Sequence, residues 1–456
     1  MTHVDLEPLV REYRAFEIPP LFRRDEVVSG LPDPARFNDY HVIVGIRRCG
    51  KTFYMFQLMR RLRDANYDQQ RILYFNFADD RLKPVELGLG SAVIEEYYRQ
   101  VPQARDQGCY LFLDEVQELK DWQPFLRRLA EHEKVTMVVT GSSSKLSSEE
   151  LATESRGRSR QHVLLPLSFG ERVRLEGREE LASQVSSGAQ LPVGDQTRLS
   201  GLFDSYLEVG GFPVVQRVTR PERIEILQGY VRDVVVRDVS ERFERTEIGL
   251  AIQLAIFALR NTGCEFSLNM LSESLTQIGY KAYWAKVNRV SELMQQAYLF
   301  RLLHEFSMQL APNSTEVPKV YAVDAGMAYA VSRANQQDVG KRLETVVYLE
   351  LVRRLAGRRI ESVSSYTAPK AEDGKVDFVV GDALSQIAYE PIQVTANMQS
   401  AKTRARELGA LEACMRNAHV GHGTVVTLEE QETVQTPAGQ IDVVPAWRWL
   451  LTPMEL

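Results

Sequence analysis

The sequence predicts an α/β protein whose first part is a parallel sheet buried on both faces, with two smaller domains behind it. Three observations carry this expectation. Five short apolar runs alternate with amphipathic helical stretches across residues 41–167. These runs are nearly continuous rather than alternating, the pattern of strands covered on both sides. Beyond residue 247 the order changes to three helical patterns followed by strand-like runs.

Along the chain, MTHVDLEPLVREYRAF is an amphipathic helix, followed by a Pro-rich approach up to residue 40 that includes Ile18-Pro19-Pro20-Leu21 and Leu31-Pro32-Asp33-Pro34. The strands expected next are HVIVGI (41–46), RILYFNF (71–77), CYLFLDE (109–115), TMVVTGS (136–142) and QHVLLPL (161–167). Ser, Gly, Gln and Pro between about 180 and 196 suggest a mobile insertion. Helices continue to about 245, broken by the turn Val209-Gly210-Gly211-Phe212-Pro213. Patterns at about 248–262, 267–279 and 282–297 then lead into YLFRLLHEF and KVYAV, the three helices and hairpin of a winged helix. A helix at about 340–356, SVSSYTA, VDFVVGD, YEPIQVT and a helix near 400–416 follow, the order of a restriction-type nuclease; GTVVTL and IDVVPAWRWL complete it. The expected domains are a core with its N-terminal helix (1–178), a helical lid (179–246), a winged-helix-like domain (247–335) and a nuclease-like domain (336–456). There are no internal repeats.

The 456 residues are 44% hydrophobic and 25% charged, which suits several buried cores and not a disordered chain. A net charge of −6 excludes a wholesale polybasic protein, though not a local basic face. Cys49, Cys109, Cys264 and Cys414 form no CxxC pair, so neither a zinc module nor a disulfide framework is expected. Acids inside the first helix argue against a signal peptide, and no uncharged apolar run of about 18 residues is present for a membrane span. A cytoplasmic location without membrane contact is expected.

Gly45-Ile46-Arg47-Arg48-Cys49-Gly50-Lys51-Thr52 matches G-x-x-x-x-G-K-[ST], and it falls between an apolar strand and the helix FYMFQLMRRLR that opens with Phe53. Glycines let the backbone turn its N–H groups toward phosphate oxygens, and the helix N-terminus adds its positive dipole. Lys51 is expected to reach the β- and γ-phosphates of ATP, and Thr52 to hold Mg²⁺. The strand ending in Asp114 and Glu115 supplies a Mg²⁺-organising carboxylate and a base for the attacking water. One further strand, RILYFNF, lies between the two motifs, as in the additional-strand branch of P-loop ATPases. Thr140 or Ser142, after the next strand, would sense the γ-phosphate, or merely cap a turn. Asp79 and Asp80 belong either to the site or to a solvated turn. In Glu154-Ser155-Arg156-Gly157-Arg158 an arginine, Arg158 before Arg156, would neutralise γ-phosphate charge in cis or from a neighbouring subunit.

GIRRCGKT, LFLDEVQEL, VVTGSSS, SRGRS and LLPLSFGE, in this order, resemble the bacterial and archaeal AAA+ ATPases often called archaeal-type ATPases. GGFPVV, YVRDVVVRDV, VYAVDAGMA and VDFVV…PIQV resemble that family's C-terminal half, a domain of unknown function taken as a winged helix plus a restriction-nuclease-like fold. The resemblance implies a ring or other homo-oligomer with nucleotide between subunits.

In the third winged-helix helix, AYWAKVNRVSELMQQA, the residues Lys286, Asn288 and Arg289, with Lys281 just before it, are candidate DNA contacts and Tyr283 and Trp284 candidate stacking groups. Val287, Val290, Leu293 and Met294 would be that helix's core stripe. For the nuclease-like part, Glu344 and Asp377 occupy two of the acid positions that would hold Mg²⁺, but Gln393 and Thr395 stand where an acid and a lysine belong. Gln carries no charge for a metal and Thr cannot supply a cation, so a degenerate, DNA-binding centre is expected. The leading functional expectation is a Mg²⁺-dependent ATPase remodelling or translocating on DNA. The alternatives are a slow ATP-dependent switch docking protein partners in signalling or defence, and an ATP-gated DNA nuclease.

Overall fold

Five strands, β1 (Tyr40–Val44), β2 (Ile72–Asn76), β3 (Cys109–Asp114), β4 (Val135–Thr140) and β5 (Ser159–Val163), form one parallel sheet in the order β2-β3-β4-β1-β5. Every residue of β1, β3 and β4 is buried, as the continuous apolar runs require, whereas the edge strand β5 is partly exposed. The strand between the two nucleotide motifs in sequence, β2, takes the opposite edge; in space β4 is inserted between β1 and β3. This brings the ends of β1, β3 and β4 side by side at the carboxyl edge, where open α/β sheets place their ligands. The computed structural model describes residues 5–141, 146, 158–239, 248–306, 317–332, 336–358, 362–368, 374–382, 385 and 387–454, in two compact units, Met1–Leu164 and Leu165–Leu456.

In the first unit the helix Leu6–Arg14, capped by Asp5, lies against β2, with the Tyr13 ring 4.5 Å from that of Phe75. Asp79 accepts a hydrogen bond from the Tyr13 phenol at 2.8 Å and an ion pair from Arg81 at 2.7 Å. Its carboxylate therefore fastens the N-terminal helix to the end of β2, and Arg81 on its far side also pairs with Glu12. Asp79 also accepts from the Arg81 amide at 3.0 Å and so caps the turn Asp80–Leu82, in which Asp80 is exposed.

The second unit begins with the helix Phe169–Leu175, closed by a capping box between Ser168 and Glu171. Residues 180–196 are not the mobile insertion expected from composition. They contain the end of the helix Glu179–Ser186 and the start of Val193–Val209, because Val185 and Leu191 are buried. After Arg220–Asp233 come the helix Ile248–Arg260, β6 (Cys264–Glu265), the helices Leu268–Gln277 and Trp284–Gln296, β7 (Phe300–Leu303) and β8 (Lys319–Ala322). The three strands are antiparallel in the order β6-β8-β7, which realises the expected helices and hairpin and adds one short strand.

The helix Val339–Arg354 precedes a six-stranded sheet of β9 (Ser362–Thr367), β10 (Lys375–Asp382), β11 (Ile387–Val394), β12 (His422–Thr427), β13 (Glu432–Thr436) and β14 (Gly439–Pro445), ordered β13-β14-β12-β11-β10-β9. The helix Ala401–Ala418 packs on it, with Leu411, Cys414 and Met415 meeting Val379, Val425 and Ile441. IDVVPAWRWL is not one strand: Pro445 lacks the N–H to continue the ladder, and Ala446–Leu451 is helical. Residues 165–178 fall within the second compact unit. The Leu167 amide donates to the Gly211 carbonyl at 2.7 Å, and Phe169 packs edge-on against Phe203.

GGFP and VYAVDAGMA, far apart in sequence, meet at Asp324. Its buried carboxylate accepts from the amides of Gly211 (2.6 Å) and Met327 (2.8 Å), capping the helix Ala325–Val331. A Cβ on Gly210, whose φ is +72°, would lie 2.2 Å from that carboxylate. Burial pushes the Asp324 carboxyl up to about 6 against the pull of these N–H donors. Asp324→Ala orphans both amides at about 1–3 kcal/mol each, so urea unfolding is expected to show a loss of about 2–6 kcal/mol. A carboxyl raised in the fold contributes most while protonated and loses that contribution as pH rises from about 4 to about 6. Asp324→Asn is expected to flatten that slope.

Candidate active site

The loop 45–50 leaves β1 and enters the helix Lys51–Asp64 with backbone that only glycine adopts easily. Gly45 has φ +149° and Gly50 +105°, and a Cβ on Gly45 would lie 2.1 Å from the Leu164 carbonyl oxygen. Arg48 also has positive φ, +66°. Gly50, at the cap position, has no side chain to cover the helix end, so its first N–H groups are presented to the loop. The Lys51 ammonium is buried and donates to the carbonyls of Gly45 (2.9 Å) and Ile46 (3.3 Å). Cys49 is fully buried, and burial pushes its thiol up, so it serves as packing. Arg47 is half-buried, while Arg48 and Phe53 are exposed.

Asp114 ends β3 and is almost wholly buried. Thr52 donates to its Oδ2 at 2.9 Å, Tyr74 to the same oxygen at 3.1 Å, and Thr140 to Oδ1. Burial pushes the Asp114 carboxyl above the usual carboxylate range, which the three hydroxyls oppose. A hydroxyl and a carboxylate 2.9 Å apart beside an uncapped helix N-terminus fit a hard cation bridging protein and phosphate. Thr52 and Asp114 are the residues that would hold Mg²⁺. Glu115 follows at φ +53°, its amide 3.4 Å from the Thr140 hydroxyl and its carboxylate accepting from the Gln117 amide at 2.5 Å. The expected set Lys51, Thr52, Asp114, Glu115 and Thr140 is thus drawn together, whereas Ser142 and Arg156 lie outside the described residues.

Arg158 is placed elsewhere. Its carbonyl accepts from Tyr40 at 2.9 Å, level with the start of β1, and its guanidinium stacks 5.0 Å over Phe37. Gly45 is a strand length further on, about 16 Å at 3.3 Å per residue. An arginine cannot span that, so Arg158 is not placed to meet its own phosphate loop in this structure. Sequence reasoning missed Tyr74, Arg24 and Gln117. Tyr74 reaches Asp114 because the β2–β3 register sets Tyr74 opposite Phe112, two residues before Asp114, and register is not written locally. Arg24 donates to the Cys49 carbonyl at 3.0 Å from a segment without any motif.

In the second unit the expected stripe Val287, Val290, Leu293 and Met294 is fully buried. Tyr283 and Trp284 are exposed, Lys281 is exposed, and the Lys286 ammonium sits 5.4 Å over the Tyr283 ring. Asn288 donates to Glu292 at 2.8 Å, and Arg289 pairs with the same acid at 3.6 Å.

Glu344, Asp377 and Gln393 do meet, but the cation expected at position 395 arrives from another strand. Lys319 of β8 places its ammonium 3.0 Å from Glu344 and 2.9 Å from Asp377. The Tyr321 phenol donates to Glu344 at 2.6 Å. Gln393 accepts from the Asp377 amide at 3.2 Å and donates to buried Glu407 at 2.7 Å, while the Thr395 hydroxyl turns to the Asn397 carbonyl at 3.2 Å. Burial, then Asp377, pushes Glu344 up to about 7; burial opposes the Lys319 charge, but the two acids outweigh it and hold the ammonium well above its usual range. Among the described residues no group of three or more His, Cys, Asp or Glu is disposed to hold a metal ion.

Residues 38–173 match the family model of an AAA domain, and residues 200–338 match a domain of unknown function (DUF8612). An uncharacterized protein of Methanocaldococcus jannaschii, MJ1544, is 26% identical over 442 residues, covering 95% of this chain and 91% of that one. An uncharacterized protein of Haemophilus influenzae is 25% identical over 353 residues, covering 76% and 82%. Among solved structures, a Walker-type ATPase of Pyrococcus abyssi is similar at 12% identity with a TM-score of 0.40, covering 64% of this chain and 91% of that one. Residues 38–173, with their phosphate loop and strand order, are a P-loop AAA domain. No helix among the described residues is long and apolar enough to cross a membrane.

The Lys319 centre is open to a direct test. Lys319→Met strands two carboxylates whose side chains are only 14% and 15% exposed and is expected to cost about 3 kcal/mol. Adding Glu344→Gln to that variant should restore much of the loss. Thermal unfolding of the wild type, both single variants and the double variant reads the coupling.

Proposed function

We propose that the chain is a Mg²⁺-dependent ATPase that couples ATP binding and hydrolysis to remodelling of, or translocation on, DNA. The observation that carries the catalytic part is the meeting of Thr52 and Thr140 on the Asp114 carboxylate, with Lys51 at the phosphate loop and Glu115 next to it. Lys51 would exchange its carbonyl partners for β- and γ-phosphate oxygens, while the loop amides hold the others. Bound through Thr52 and Asp114, Mg²⁺ supplies charge neutralisation at the phosphates. Glu115 takes the proton of the attacking water, and Thr140, tied to Asp114, senses the γ-phosphate. Nucleotide between the subunits of a homo-oligomer is in keeping with Arg158 at the far edge of the sheet, from where it would serve a neighbour's phosphate.

The DNA part rests on the exposed Tyr283 and Trp284 beside Lys281 and Lys286. In this reading the domain around Glu344 and Asp377 binds DNA without cutting it, because Lys319 already neutralises the acids on which a metal-dependent nuclease relies. A second reading, a slow switch docking a protein partner, draws on Glu292, which engages both Asn288 and Arg289 and sets an acid on the same helix.

Lys51→Ala is expected to abolish nucleotide binding. Glu115→Gln should keep binding and lose hydrolysis by roughly 100-fold or more, since the shape stays and the base goes. Calorimetry with ATP and steady-state phosphate release check both; undiminished turnover by Glu115→Gln would remove Glu115 from its role. ATPase rates across single-stranded, duplex and branched DNA at low and high salt separate the motor from the switch. The motor predicts stimulation that fades with salt, and a flat response refutes it.

A further inference from the structure

Gln117 has no part in the chemistry above, yet its side chain makes the contact that defines where the Glu115 carboxylate lies. It sits in the tight turn Val116–Glu118 directly after Glu115, a turn closed by hydrogen bonds from Glu118 to Glu115 (3.0 Å) and from Leu119 to Val116 (3.1 Å). Its Nε2 donates to Glu115 Oε2 at 2.5 Å. Its Oε1 is buried and has no hydrogen-bond partner among the described residues. Turning the amide over would set two oxygens against each other, so the carboxylate dictates which end faces it. The orphan oxygen packs against the end of β4, where a Cβ on Gly141 would lie 2.0 Å away. Gly141 follows Thr140, whose hydroxyl binds Asp114. One amide is therefore wedged between the base and the strand end that carries the γ-phosphate sensor.

We propose that Gln117 is a positioning residue for hydrolysis, holding the Glu115 carboxylate through Nε2 in the space that the absence of a side chain at Gly141 leaves for its Oε1. This rests on the reading of Glu115 as the base for the attacking water. The positively twisted backbone at Glu115 aims the residue, and the amide removes the remaining freedom of its side chain.

The test uses the full chain and Gln117→Met, which keeps the packing volume and removes the donor. The expected result is a kcat about 10-fold lower with the KM for ATP within about twofold of wild type. Combined with Glu115→Gln, the same change should leave the residual rate where Glu115→Gln alone puts it, since there is no longer a carboxylate to aim. Gly141→Ala, which drives a methyl into the Oε1 position, should reproduce the kcat loss and serves if Gln117→Met does not fold. An unchanged kcat, a raised kcat, or equal losses with and without Glu115 each overturn the assignment. If Glu115→Gln alone hydrolyses ATP at the wild-type rate, it is the underlying reading of Glu115 that fails instead.

Discussion

One buried carboxylate organises the first unit. Asp114 collects hydroxyls from the helix after the phosphate loop, from β2 and from β4, so four separate stretches of chain must agree in position before it is satisfied. An acid in that setting is costly unless its partners are present, and the same cost makes it a sensitive reporter of any cation that arrives. The order β2-β3-β4-β1-β5 is what makes this meeting possible, because it sets the ends of β3 and β4 beside the loop that leaves β1.

The second unit is governed by a comparable electrostatic demand with a different answer. Two acids from the helix Val339–Arg354 and β10 converge under the stacked rings of Tyr321, Tyr348 and Phe378, and a lysine from β8 meets both. Burial, and then the neighbouring Asp377, raises Glu344, while the two carboxylates together keep the Lys319 ammonium charged. Gln393 fits this scheme as an uncharged bridge: its amide has one end for the Asp377 backbone and the other for Glu407, which neither Asp nor Glu could offer.

How much of this was legible in the sequence differed by the range of the interaction. Strands β1 to β4 were readable because a strand buried on both faces must be apolar throughout, and the phosphate loop because its chemistry is local. Lys319 was not, since it lies 25 residues before Glu344 and 58 before Asp377 and nothing in KVYAV announces a partner. The segment 180–196 was misread for a related reason. Its Ser, Gly and Gln mimic a loosely held loop, and two isolated apolar residues, Val185 and Leu191, suffice to dock it. Arg158 showed a further limit: a motif read along the chain does not say at which end of a strand it falls.

The Lys319 contact also bears on how the protein can be taken apart. A cut near residue 335, where helix-and-hairpin would part from nuclease-like sheet, leaves a lone ammonium on one fragment and two unmatched acids on the other. It also breaks the pairing of Phe306 with Ser365, where the amide donates to the carbonyl at 2.6 Å. Residues 165–456 should therefore be expressed as one piece, since either half alone would uncover charged groups that the intact chain pairs.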